Sequence, residues 1–182
     1  MNLIKFLPQA IIVGCLAATV QYIDLSCPYI VAWVVFQCWA LYFLAGAKIK
    51  SALKAGVCYL MGVCVGIGIS SLGDHLMTVF NDKFIALPIA VAVLTVPVIY
   101  MEKVKHFNLI PAYFIACGGG FFAISNVEHI AQQGNLHIVA VLSSCLLLGF
   151  FMGWFSILLR DLYAKVLPET VSLDKAADDN EN

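Results

Sequence analysis

The chain has 182 residues, of which 62% are hydrophobic and 12% charged, with a mean hydropathy of +0.94 and a net charge of −1. Soluble globular domains carry about 45–50% apolar and about 25% charged residues. This composition therefore excludes a cytosolic enzyme and a disordered regulator, and the near-neutral charge gives no field to attract a nucleic acid.

A helix crossing a ~30 Å hydrocarbon core needs about 20 mostly apolar residues. In chain order, runs of about that size predict an all-α, polytopic membrane protein with six transmembrane helices: Phe6–Tyr22, Tyr29–Ala45, Ala55–Leu72, Phe84–Met101, Phe107–Ile124 and Ile138–Leu159. They form one transmembrane domain, residues 1–160, in contact with the lipid bilayer on all sides. In the first run, Ile12-Val13-Gly14-Cys15 imitates a lipoprotein signal. Cleavage there would remove half of a span that the charge pattern requires.

The second run holds the one amide at the middle of a span, Gln37, among Trp33, Phe36, Cys38, Trp39 and Tyr42. An uncharged amide at that depth must bond to another helix or to something passing through. The third and sixth runs each carry Gly-x-x-x-Gly, at Gly62 and Gly66 and at Gly149 and Gly153. Small residues at that spacing give a helix a flat face for close packing, within one protomer or between subunits. Pro97, late in the fourth run, predicts a kink, whereas Pro8, Pro88 and Pro111 are placed in first turns. The fifth run contains Cys117-Gly118-Gly119-Gly120. Three consecutive glycines loosen a helix or admit another chain, with Trp39 the expected bulky neighbour.

Charge gives the orientation. With the N-terminus cytoplasmic, nine Lys and Arg residues lie inside and only Lys83 outside, so both termini are read as cytoplasmic. Residues 161–182 carry six acids and two lysines and read as an acidic, disordered cytoplasmic tail.

Weak internal similarity points to two inverted three-helix repeats: Leu7-Pro8 aligns with Leu87-Pro88, Trp33 with Tyr113, and the two Gly-x-x-x-Gly pairs with each other. Because three helices cross an odd number of times, tandem copies lie upside down, as in many channels and transporters.

No Asp, Glu, Lys, Arg or His lies deep in a predicted span, which argues against a proton-coupled pump or voltage sensor. His75, His106, His129 and His137 fall at span ends or in loops on different sides, so no haem is expected. The seven cysteines form no Cys-x-x-Cys pair, so no metal site is expected either. Ser70-Ser71 near His75 lacks an oxyanion-forming loop, and the chain is not read as an enzyme. Tyr22, Tyr29, Tyr100, Tyr113 and Tyr163 read as interfacial anchors. Asp74-His75 and Glu128-His129 read as solvated loop residues.

The second span, with Trp33 and Trp39-Ala40-Leu41-Tyr42-Phe43, and the fifth, with Ile110-Pro111-Ala112 and Gly118-Gly119-Gly120-Phe121-Phe122-Ala123, resemble a family of small bacterial inner-membrane proteins known as domain of unknown function 1097. The resemblance covers residues 7–157 and extends to Gly149-x-x-x-Gly153. It implies a multi-pass protein of the bacterial cytoplasmic membrane and no catalytic residue.

Two functions remain. One is a small channel or facilitator, a homo-oligomer passing a small neutral or zwitterionic solute along Trp33, Gln37, Trp39 and Gly118 to Gly120. The other is a non-transporting accessory or assembly subunit of another membrane protein. A hydrated cavity at Gln37 and Trp39 favours the first, and sealing of these residues by packing favours the second. Neither reading needs a cofactor.

Overall fold

The structure, a computed structural model, describes residues 3–125 and 127–166. Every regular element among them is helical: α1 (Leu3–Ser26), α2 (Ala32–Leu44), α3 (Ile49–Phe80), α4 (Lys83–Tyr100), α5 (Ile110–Phe114), α6 (Ala123–Ser125), α7 (Glu128–Ala131) and α8 (Asn135–Val166). A 3₁₀ turn, Met101–Lys103, ends α4, and a π-helix, Ile115–Phe122, joins α5 to α6.

Four helices are long and apolar enough to cross a membrane: Leu7–Ser26, Ile49–Phe80, Lys83–Lys103 and Asn135–Lys165. The other two apolar helices are shorter, Ala32–Leu44 and Ile110–Ser125. Six apolar helices are thus present, but the second and fifth fall short of the length read from hydropathy. Pro28 and Pro111 are the reason. Cys27 to Ile30 close a turn after Pro28 (Ile30 N–H to the Cys27 carbonyl, 3.1 Å), so α2 begins three residues after Tyr29. Pro111 sits in the first turn of α5 and has no N–H to bond the carbonyl of Phe107, so the helix is not carried back beyond Ile110.

In contrast, α3 and α8 overrun their apolar cores. Each has 32 residues, about 48 Å at 1.5 Å per residue. Asp74 and His75 are consequently exposed residues of α3 rather than of a loop. Pro8 and Pro88 lie inside α1 and α4 rather than in first turns. Helix α8 continues to Val166, six residues past the boundary drawn at Arg160. Residues 167–182, most of the acidic tail, lie outside the described residues, as does the side chain of His129.

The connections are tight. Asn81 ends α3 in the left-handed region (φ 49°), its N–H bonded to the Met77 carbonyl. Asp82 then caps α4, accepting from the Phe84 N–H at 2.8 Å. Between α2 and α3, Gly46 (φ 95°) and Ala47 (φ 55°) turn the chain.

Packing is organised around the two long helices. α8 lies along α2, while α3 lies along α4 on one side and along α5 and the π-helix on the other. α1 touches α2 and α8 lightly. The core between them holds Cys38 and Leu41 of α2, Tyr59 and Val63 of α3, Phe121 of the π-helix, and Leu142 and Cys145 of α8. Among the predicted anchors, Tyr22, Tyr29 and Tyr100 are exposed, but Tyr113 is buried. Its hydroxyl lies 3.6 Å from the Met61 sulfur.

Candidate functional site

The site is built on glycine. Along Ile115–Phe122 the backbone widens to a π-helix, a rare geometry that runs for eight residues here and is frequent at functional positions. Gly118, Gly119 and Gly120 occupy its middle, where the missing side chains let neighbouring groups reach the main chain.

Two polar groups do so. A Cβ on Gly119 would lie 2.5 Å from Gln37 Oε1 and 2.6 Å from Nε2, so the amide of α2 rests directly on that glycine. A Cβ on Gly120 would lie 2.8 Å from the Tyr59 hydroxyl and 3.2 Å from Leu142 Cδ2. Gly118 faces open space and is exposed. Three helices thus converge on consecutive residues of a fourth: α2 through Gln37, α3 through Tyr59 and α8 through Leu142.

Gln37 Oε1 is buried without a hydrogen-bond partner. The Tyr59 hydroxyl makes no well-aligned hydrogen bond but has the Cys38 thiol of α2 beside it, and Tyr59 as a whole has no exposed surface. Burying a hydroxyl or amide without compensation costs about 1–3 kcal/mol on mutational scales, so most such groups in folded proteins find partners. No ionisable carboxylate, amine or imidazole occurs in α2 or in the π-helix. The surroundings are therefore a neutral, hydrogen-bonding spot in an apolar bundle.

The other residues singled out from sequence are placed apart from this point. Trp33 is 46% exposed and lines a depression of about 330 Å³ with Asp24, Pro28 and Val127. Trp39 is buried, with its ring 6.4 Å from that of Phe36. Its backbone nitrogen faces Gly149. The close neighbours of the glycine run are thus Gln37 and Tyr59, where Trp39 was expected.

The Gly-x-x-x-Gly pairs pack inside the chain. Cβ atoms on Gly62 and Gly66 would strike the Tyr113 backbone (2.6 Å) and the Phe121 side chain (2.8 Å). On Gly149 and Gly153 they would strike Cys38 Cβ (2.5 Å), the Val35 carbonyl (2.6 Å) and the Tyr42 ring (2.7 Å). These glycines set the distance of α3 from α5 and of α8 from α2, and so hold the Gln37 and Tyr59 helices around the π-helix.

Tyr59 escaped the sequence reading. Its signal was its spacing: three and seven residues before Gly62 and Gly66, it shares their helix face. Among the described residues there is no group of three or more His, Cys, Asp or Glu side chains that could hold a metal ion.

These features define an all-helical bundle of membrane-compatible apolar helices with a neutral polar point at the meeting of four of them. The profile of the family described as "Protein of unknown function (DUF1097)" matches residues 10–160, and the chain belongs to that family. No curated protein and no solved structure matches it.

Proposed function

We propose that this protein is a small channel or facilitator of the bacterial cytoplasmic membrane, with both termini cytoplasmic, that passes a small neutral or zwitterionic solute and catalyses no reaction. The observation that carries this reading is Gln37 Oε1, a buried amide oxygen without a partner seated on a glycine of a π-helix, one residue from the glycine that the Tyr59 hydroxyl meets. A polar atom left without a partner among apolar helices is stabilised when a passing solute or water supplies one. The absence of charge in α2 and in the π-helix suits uncoupled passage better than ion coupling.

In this reading all six apolar helices span the bilayer as two inverted three-helix repeats, α1 to α3 and α4 to α8. The glycine contacts support it. Gly62 meets the Tyr113 carbonyl and Ala116 Cβ, as Gly149 meets the Val35 carbonyl and Cys38 Cβ. Gly66 meets the Phe121 ring, as Gly153 meets that of Tyr42. Each long helix thus packs on the middle helix of the other repeat, the exchange that a two-fold axis between the copies demands. These contacts pair Tyr113 with Val35, two residues from the Trp33 of the sequence alignment, and one residue more separates Phe121 from Tyr42 than Tyr113 from Val35, which the wider π turns take up. The exposed apolar face of α4, with Phe84, Val96 and Tyr100, suits lipid or a second copy of the chain in a homo-oligomer.

The second reading, a non-transporting accessory subunit, is favoured by the close seating of the Gln37 amide on Gly119 and by the burial of Trp39, because sealing by packing suits a structural role. Stopped-flow swelling of proteoliposomes against small neutral solutes separates the two. Protein-dependent flux supports the facilitator. Its absence from well-folded protein supports the accessory subunit.

A further inference from the structure

We propose that the crevice between α1, α2 and α8 seats one anionic phospholipid of the cytoplasmic leaflet, its phosphate on Arg160 and an acyl chain between the helices. The proposal rests on the orientation proposed above, which puts Arg160 at that leaflet, and not on the transport reading.

The two repeats differ where the crevice opens. Arg160 stands as far beyond Gly149 in α8 as Gly73 stands beyond Gly62 in α3. At Gly73 the helix α4 comes close: a Cβ there would lie 3.4 Å from Leu87 Cδ1 and 4.0 Å from Ala90 Cβ. The counterparts of these two residues in α1 are Leu7 and Ala10, which face an arginine instead. A glycine admits a neighbouring helix and a long charged side chain does not. Helix α4 accordingly lies along α3, whereas α1 touches α8 lightly. The gap that remains has a volume of about 480 Å³, inside the range of about 300–1,000 Å³ usual for small-ligand sites.

Its lining changes from charged to apolar as a lipid does. Arg160 is the first charged residue after the apolar run of α8, and it lines the crevice together with the half-buried Gln9 of α1. Ile12 and Val13 of α1, Phe43 of α2 and Ile157 of α8 form the walls. Ser156 also lines it, but its hydroxyl already donates to the Gly153 carbonyl at 2.8 Å. The head of the ligand is therefore held by the guanidinium and the Gln9 amide. Arg160 pairs with Asp161 through Nη2 at 3.3 Å and Nε at 3.4 Å, both side chains being more than half exposed. An ion pair so exposed contributes little, and the guanidinium keeps further donors whose planar fork matches phosphate oxygens. A free phosphate would leave the apolar walls unfilled, and a hydrocarbon would leave the cation unanswered.

The test is native mass spectrometry of the full-length protein released from mixed micelles, with phosphatidylglycerol and phosphatidylcholine of identical chains supplied in turn. Retention of one phosphatidylglycerol is expected, preferred roughly 5-fold, the usual advantage of one basic residue toward anionic lipid. A parallel rise in Tm is expected, because the lipid fills the space between α1 and α8. Arg160→Gln should abolish the preference, and Lys165→Gln, the same loss of charge at an exposed position of α8 outside the crevice, should keep it. Ile157→Trp should abolish retention by filling the crevice, and Val13→Trp from the opposite wall repeats that arm if Ile157→Trp does not fold. Equal retention of the two lipids, or a preference unchanged in Arg160→Gln, would overturn the seat. Equal stabilisation by glycerol 3-phosphate would overturn it in favour of a free phosphate site. A dimer dispersed by Ile157→Trp without any effect on lipid would assign the crevice to a second copy of the chain. Binding is read in detergent, so failure of the orientation or of the transport reading changes none of these outcomes.

Discussion

Two sets of glycines do opposite work in this molecule. Gly62, Gly66, Gly149 and Gly153 sit on the long helices α3 and α8, and most of what they press against is backbone or the base of a side chain. Gly119 and Gly120 sit in the π-helix, and what presses on them is the polar tip of a side chain, with Gly118 open beside them. Backbone cannot retreat from an added methyl group, whereas the end of a glutamine can swing away. The first set therefore fixes the architecture, and the second seats side-chain ends that can move. Stability and solute handling should separate along this line.

The largest effect is expected at Gly149. Gly149→Ala drives a methyl group into the Val35 carbonyl and Cys38 Cβ, and overpacking of that kind costs about 1–3 kcal/mol. A clear drop in Tm of the purified protein checks it, and an unchanged Tm would erase the distinction between the two sets. Gly62→Ala meets the Tyr113 backbone and should fall nearly as far. Gly66→Ala should lose less, because the Phe121 ring can tilt where a carbonyl cannot.

Gly119→Ala comes next. Its neighbour is the end of the Gln37 side chain, so unfolding should shift by less than about 1 kcal/mol, within the range of ordinary substitutions. Solute flux should nevertheless fall, because the added methyl displaces the Gln37 amide from its seat on the π-helix. Tyr59→Phe sharpens the comparison: the buried hydroxyl has only the Cys38 thiol as a polar neighbour, so its deletion trades one weak contact for relief of desolvation and is expected to change stability by less than about 1 kcal/mol. Chemical denaturation of the two variants side by side checks both. The smallest effect belongs to Gly118→Ala. With nothing within 4 Å of the added methyl, the substitution should stabilise slightly, by up to about 1 kcal/mol, the usual advantage of alanine over glycine inside a helix.

Much of this was legible in the sequence, for physical reasons that differ by element. Composition alone dictates an apolar helical bundle, because a backbone without water must satisfy its own hydrogen bonds. Gln37 and the triple glycine stood out because each is chemically odd in an apolar run, and the structure places them in contact. Tyr59 did not stand out. A tyrosine among Val57, Cys58 and Leu60 reads as one more bulky apolar residue until its face, shared with Gly62 and Gly66, is drawn. Tyr113 was misread as an anchor for the complementary reason: position near the end of an apolar run suggests the interface, but the glycine opposite it admits its backbone into the core. The π-helix was not legible either. Glycines permit the widening, but only the approach of α2, α3 and α8 around it decides that the helix opens there and not elsewhere. The shortness of α2 and the overrun of α3 and α8 reflect prolines and left-handed turns, which hydropathy averages over.

The most direct test of the central claim is stopped-flow flux of small neutral solutes through proteoliposomes of the wild type and Gly119→Leu, with Gly119→Ala measured beside it should leucine impair folding. Flux above empty liposomes in the wild type, lost when a side chain occupies position 119 of an otherwise folded protein, is the expected result and places the path beside Gln37. Flux unchanged by either substitution, or absent from folded wild type, would contradict a route through the glycine run.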